Sequence, residues 1–433
     1  MILYNFLFLV IFLIITGMGF VGLRRIPWFS PVRLFLIFNG VMGSGILYAL
    51  NFDDSADLTH GVIVLLSVGV YVLFSVIFCG RLRLKRRWLN NHELNIVSRA
   101  DVDFLFCCVL YIISGVAVLI YFNLVGYNVI LSAIRDGLSA AEVKDLRLGA
   151  YAGADYFAPG YFNQFKNILF PISLFALSYS LRGRLRSHVS WLIVTIVLAI
   201  PVILGLMGTG QRAFLVGFVV AGLIFVAIVG SSAKIAVIRV VLSGVVFLFL
   251  FSISSFLLGR SEEFSFNDSL GALFVRIFND NQQSAAIGFR YIFDFPVQYG
   301  GEWLTDILGV LPGEDFKGSD LPNRIHELIY GSYRGTAPVS LWGSVYHNWG
   351  WFGILIFPIV LVLIYIQVFV IFFSRGEVSI LEVAAYSFMF YILASWVASG
   401  PMQMLNNGLA ACVILIVGLR LLGSHRWRRL RWH

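Results

Sequence analysis

Six arginines, Arg212, Arg260, Arg276, Arg290, Arg324 and Arg334, stand in polar stretches that border long apolar runs. A guanidinium beside hydrocarbon is expensive unless an anion accompanies it. Its planar fork of donors matches phosphate oxygens two at a time, and its charge is not lost at neutral pH. A lipid-linked diphosphate is therefore a candidate ligand, with Arg212, Arg260, Arg276 and Arg290 as the diphosphate-binding set. The competing reading pairs these cations with acids of the same stretches, Glu262, Glu263, Asp280, Asp294, Glu302 and Asp306. Arg212 has no acid nearby in sequence. It lies in GTGQRAF (208–214), a turn between two apolar runs, where Gly208 and Gly210 allow close backbone approach to a ligand. Backbone N–H groups there would complete an anion seat, whereas a tight turn with a snorkelling arginine is the structural alternative.

A proton acceptor is the second requirement of group transfer. His347 sits in SLWGSVYHNWGWFG (340–353), directly before an apolar run, and imidazole titrates in the range that suits a general base. Flanked by Trp349 and Trp351, it reads equally well as an interfacial anchor. Asp280, Asp294, Glu302 and Glu327 are rival bases. Aromatic residues crowd the same stretches, and sugar rings stack on such side chains while Asn and Arg bind their hydroxyls. Tyr330, Tyr333, Arg324, Arg334, Tyr346 and Asn348 are the candidate substrate-binding residues on that ground. The seven histidines are scattered and no phosphate loop or G-x-S-x-G elbow occurs, so no metal ligands are assigned and ATP-driven chemistry is disfavoured.

The elements that must position these residues are membrane helices. Hydrophobic residues make up 59% of the chain and charged residues 12%, which excludes an ordinary soluble domain. Apolar runs near 2–22, 34–51, 61–80, 104–124, 167–181, 190–207, 213–230, 240–258, 350–373, 383–399 and 408–423 are long enough to cross ~30 Å of hydrocarbon as helices. The expected fold is an all-α polytopic membrane protein of about eleven transmembrane helices, eleven to twelve, forming one membrane domain. Loops 23–33, 81–103, 182–189, 231–239, 374–382 and the tail from Arg420 carry 20 Lys and Arg against 5 Asp and Glu; the others carry 11 against 18. The positive-inside rule then sets the C-terminus in the cytoplasm and the N-terminus outside. The net charge of +8 reflects this asymmetry and implies no nucleic acid, although the arginine-rich tail could touch anionic membrane lipids.

Two outer loops are substantial, 125–166 and 259–349. The first carries an apolar stripe, Ile130, Ile134, Leu138 and Val143, that predicts one amphipathic helix at the membrane surface. The second opens on a similar stripe, Leu270 to Ile277, continues through a mixed segment 285–295 that suits a short helix, and passes into VLPGEDFKGSDLPNR (310–324), which reads as irregular chain. All four cysteines, Cys79, Cys107, Cys108 and Cys412, fall in or beside apolar runs, so no disulfide framework is expected. A bacterial inner membrane with the long loops in the periplasm fits these features.

This layout resembles the Wzy-type O-antigen or oligosaccharide repeat-unit polymerases, multi-span proteins with a large periplasmic loop late in the chain. GTGQRAF is similar to that family's Gly-Thr/Ser-x-Arg hairpin, which maps onto Arg212. VLPGEDFKGSDLPNR resembles its Pro-polar-Asn segment. SVYHNWGWFG resembles the run entering the next span and maps onto Tyr346, Asn348, Gly350 and Gly353. The resemblance implies a GT-C-like membrane glycosyltransferase whose large periplasmic loop contains short helices. It also implies a periplasmic active site that joins undecaprenyl-diphosphate oligosaccharide donor and acceptor without metal, nucleotide or other cofactor. A chain-length regulator protein is a further implied partner. On this view Arg212, Arg276 and Arg290 clamp the departing diphosphate and His347 is the base. The O-antigen ligases share the layout and carry a His-Asn pair before a late span, as His347 and Asn348 do here. A lipid-linked oligosaccharide flippase is the third reading, disfavoured by spans nearly free of ionisable residues.

Overall fold

In a computed structural model of the chain, the described residues are 2–82, 95–96, 102–152, 161–211, 213–230, 281–309, 318–333, 336–337, 339–374, 377–395 and 404–430, with 252, 271, 274, 275 and 311 beside them. The chain is an all-α membrane protein. Among the described residues, six helices are long and apolar enough to cross a bilayer: α1 (Ile2–Gly22), α2 (Pro31–Ala49), α3 (Ser55–Leu82), α4 (Val102–Val125), α9 (His188–Met207) and α14 (Leu341–Phe373). Further helices overlay apolar runs: α8 (Phe170–Arg182), α10 (Ala213–Val229), α15 (Ile380–Ser395) and α16 (Ala410–Leu430), whose apolar part ends at Leu421. The apolar side chains of Phe6, Leu13, Val189 and Ile193 are exposed along α1 and α9, a surface that hydrocarbon tolerates and water does not. Ten of the expected apolar runs overlay these helices, while 240–258 lies outside the described residues except for Ser252.

The described chain divides into two compact units, each discontinuous in sequence. In the first, α3 packs along α14 with α1 and α2 beside it. Three short helices complete it: α11 (Asn281–Ile292), α12 (Gly301–Leu308) and α13 (Leu321–Tyr330). Of these α11 packs on α2, α3 and α13, and α12 packs on α14. Trp342, fully buried, donates its Nε1–H to Asn39 Oδ1 at 3.0 Å and stands edge-on to Phe35, so a polar bond fixes α14 against α2 inside an aromatic core.

The second unit is built on α4, α8, α9 and α10, with α5 (Val129–Asp136), α6 (Ala140–Ala152) and α7 (Tyr161–Gln164) between α4 and α8. A π-helical turn, Phe165–Leu169, joins α7 to α8. A parallel pair of two-residue strands, β1 (Asn95–Ile96) and β2 (Glu377–Val378), links two loops that the charge distribution assigns to one face.

Where one amphipathic helix is expected over 130–145, the chain folds into two. Gly137 at φ 58° ends α5 in the left-handed region open to glycine. Ser139 and Glu142 then cap the next helix reciprocally, with the Ser139 N–H donating to Glu142 Oε2 at 2.8 Å and the Glu142 N–H to Ser139 Oγ at 3.4 Å. The end of 310–324 also departs from irregular chain: Leu321 to Arg324 form the first turn of α13, where Pro322 loses no helical hydrogen bond. The mixed segment 285–295 is largely α11, as its composition suits. Within 270–277 the described residues are Gly271, Phe274 and Val275, each helical.

Candidate functional site

A break in α14 organises the first cluster. Gly350 adopts φ 57° and ψ −150°, a conformation that a side chain would strain, and splits an initial segment from the long apolar remainder. The interrupted ladder leaves carbonyls without helical donors. The His347 carbonyl accepts from the Gln298 N–H at 3.0 Å, and the Asn348 carbonyl from the Gly300 N–H at 3.3 Å. This docks the segment before α12 onto the break. Gly300 is required there, since a Cβ would lie 2.7 Å from the Trp349 ring.

The docked α12 presents Glu302 to Asn348. Asn348 Nδ2 donates to Glu302 Oε2 at 2.8 Å and to the Ser344 carbonyl at 3.0 Å. Ser319 Oγ donates to Glu302 Oε1 at 3.4 Å, and the Ser319 N–H donates to Asp306 Oδ1 at 2.9 Å. Burial pushes the Glu302 carboxyl up to about 7, opposed by the Asn348 hydrogen bond and reinforced by Asp306. Asp306 is itself raised by burial. A carboxylate that releases its proton near neutrality, held in place by an amide donor, is suited to accept a proton from a hydroxyl. His347 is buried beside Phe295, and its Nδ1 has no hydrogen-bond partner among the described residues.

The second cluster of this unit is an open cleft of about 430 Å³ lined by Tyr291, Asp320, Arg324, Glu327, Leu328 and Tyr333. Arg324 Nε donates to Asp320 Oδ2 at 2.8 Å, and the Tyr333 hydroxyl reaches the same oxygen at 3.5 Å. Both members of this ion pair are half exposed, so it contributes about 0–1 kcal/mol and leaves the groups available to a ligand. Two aromatic rings beside a cation and two carboxylates make a lining that sugars can use. Tyr330 stands outside it, packed on His326.

Arg290 is committed elsewhere. Its Nε and NH2 donate to the two oxygens of Asp57 at 2.7 and 2.5 Å, with Asp57 0% and Arg290 40% exposed. Asp57 also accepts the Asn51 N–H at 2.5 Å. His60, one turn on, stacks on Phe289 at 4.3 Å and lies 3.4 Å from Ser340 Oγ. These contacts pin α11 to the head of α3, a positioning task that satisfies the guanidinium without a ligand.

The second unit holds a cationic cluster that the sequence reading did not single out. Lys166, on the π-helical turn, is 1% exposed and donates to Thr209 Oγ1 at 3.4 Å. Its ammonium lies 5.0 Å from the Tyr121 ring and 5.8 Å from the Phe122 ring. Desolvating an ammonium costs several kcal/mol, and each cation–π contact returns about 0.5–2 kcal/mol, so the aromatic pair offsets only part. Thr209 belongs to the GTGQRAF turn. The Val129 N–H donates to the Gly208 carbonyl at 2.8 Å, and Asn128 Nδ2 donates to the Leu204 carbonyl at 3.3 Å. The aliphatic stem of Arg147 lies against Gly210, whose φ is 71°.

Among the sequence-derived candidates, Asn348 and His347 meet at the break, and Arg324 and Tyr333 meet in the cleft. Tyr346 packs on Phe289 and Trp351. Arg212, Arg260, Arg276 and Arg334 lie outside the described residues. Glu302 ranked only among rival bases, because its neighbour Asn348 is 46 positions away. Lys166 had a visible signal in retrospect: a lone cation at the edge of an apolar run, among Phe162, Phe165 and Phe170. Comparison of the chain with protein-family models, with curated proteins and with solved structures gives no match.

Proposed function

We propose that this chain is a polymerase of lipid-linked oligosaccharide repeat units, working at the periplasmic face of a bacterial inner membrane. The observation that carries the reading is the Glu302–Asn348 pair, a half-buried carboxylate held at 2.8 Å by an amide donor beside a helix break, where burial raises its proton affinity. An acceptor sugar hydroxyl would lose its proton to Glu302 as its oxygen bonds to the anomeric carbon of the donor. The bond from that carbon to the carrier phosphate breaks, and the undecaprenyl diphosphate leaves with the electron pair. The Tyr291, Arg324 and Tyr333 cleft supports a saccharide ligand. The eleven-span, GT-C-like arrangement with the N-terminus outside, and a chain-length regulator as partner, belong to the same proposal.

The test is reconstitution of the full chain in vesicles with undecaprenyl-diphosphate oligosaccharide alone. A ladder of lengthened chains is the expected product. No ladder, with transfer appearing only after lipid A core is added, would replace polymerase by ligase, the reading favoured by adjacent His347 and Asn348 at the break. No transfer under either condition removes the glycosyltransferase reading.

A further inference from the structure

Buried charges elsewhere in the described chain have opposite partners. Asp57 has Arg290, and Glu382 accepts from Arg420 Nε at 3.1 Å. Lys166 breaks the pattern: it is as deeply buried, yet no carboxylate among the described residues pairs with it. The sequence placed it there by a specific device. A π-helical turn inserts one residue relative to α-helical spacing, and Phe165–Leu169 delivers Lys166 and Asn167 into the interior of the unit. The stem lies beside Gly205 of α9, where a Cβ would stand in ordinary van der Waals contact, 3.7 Å from Lys166 Cγ.

What the ammonium reaches is equally particular. It donates to Thr209 Oγ1, which leaves the hydroxyl proton of Thr209 free to point to another acceptor. Thr209 is itself buried and sits in a turn flanked by Gly208 and Gly210, with the Arg147 stem against the second glycine. An ammonium, a hydroxyl donor and a glycine-bordered turn gathered at the end of an apolar helix present charge and hydrogen-bond donors to an anion, and the faces of Tyr121 and Phe122 exclude water around them.

We propose that Lys166 and Thr209 form a binding site for a phosphate-class anion, and that its ligand is the diphosphate headgroup of a polyprenyl carrier. The anion site stands on the geometry of Lys166. Its assignment to the carrier rests on the polymerase reading above.

The full chain in lipid nanodiscs would be probed with undecaprenyl diphosphate, inorganic pyrophosphate and uncharged undecaprenol, following hydrogen exchange at amides 164–169 and 205–210. The expected result is slowed exchange in both segments with undecaprenyl diphosphate and none with undecaprenol. Protection by pyrophosphate but not by the lipid would keep the anion site and overturn the carrier as its ligand. Absence of protection by either anion overturns the site, with no variant needed. Lys166→Met should weaken binding of the protecting anion about tenfold or more, and Lys166→Arg should retain most of it; equal affinity in wild type and Lys166→Met would sink the proposal. The vesicle assay separates the two ideas. Lys166-dependent carrier binding without polymer removes the function and leaves the site. Polymer made by a wild type that shows no anion-dependent protection removes the site and leaves the function.

Discussion

At the scale of single residues, the proposed transfer turns on Glu302. Its carboxyl is moved up to about 7 by burial, against the opposing hydrogen bond from Asn348. The sign of the linked effect follows. Between the ordinary glutamate range and about 7, the folded chain keeps a proton that the unfolded chain has released, so stability falls as pH rises through that window. Activity runs the other way, because only the ionised form accepts a proton. Transfer should therefore climb with pH along an acidic limb centred near 7, and Glu302→Gln should lose about 10²–10⁴-fold in rate while remaining at least as stable as wild type at pH 8. A rate profile with thermal melts at matched pH checks both halves, and an active Glu302→Gln protein would remove the base from this residue. Asn348→Leu supplies a positioning test. Without the amide donor the ionised form is less favoured, so the limb should move upward in pH rather than merely lose amplitude.

At the scale of elements, that chemistry depends on one irregularity. The ladder of α14 fails at Gly350, and the carbonyls of His347 and Asn348 capture the segment that carries α12. Gly350→Ala puts a Cβ where only glycine is comfortable, at a cost of about 1–3 kcal/mol. The expected outcome is a lower melting temperature together with reduced transfer, and a limb near 7 that shifts because Glu302 is no longer held. A fully active Gly350→Ala protein would show that the break is incidental. The sequence announces half of this arrangement. SVYHNWGWFG, with Gly350 and Gly353 at the start of an apolar run, marks the entry to a span. Nothing in it announces that Gln298 and Gly300 are the segment captured, because pairing across 46 to 49 positions is decided by tertiary packing. Arg290 illustrates the same limit. The acids nearest to it in sequence are Asp294 and Asp280, and the acid it meets is Asp57, 233 positions away.

At the scale of the whole molecule, composition is enough to establish a helical membrane protein, because each turn of an exposed apolar helix repeats the same signal and errors average out. Helix ends and breaks were less legible, since Gly137 and the Ser139–Glu142 box act over a few atoms and split what periodicity alone joins. The number of crossings is the remaining element of the proposal that a simple labelling experiment decides. Lys144 follows the fourth apolar run and Tyr330 the eighth, so four crossings separate them only if 240–258 spans the bilayer. Both side chains are exposed, as are Gly183 and Ser374 in loops that the charge distribution assigns to the cytoplasm. In a cysteine-free background, Lys144→Cys and Tyr330→Cys should react with an impermeant maleimide added outside the inner membrane, whereas Gly183→Cys and Ser374→Cys should react only after the membrane is opened. If 240–258 did not cross, three crossings would lie between Lys144 and Tyr330, and their labelling would fall on opposite faces. Glu302, which shares its stretch with Tyr330, would then face the cytoplasm, out of reach of a substrate displayed in the periplasm.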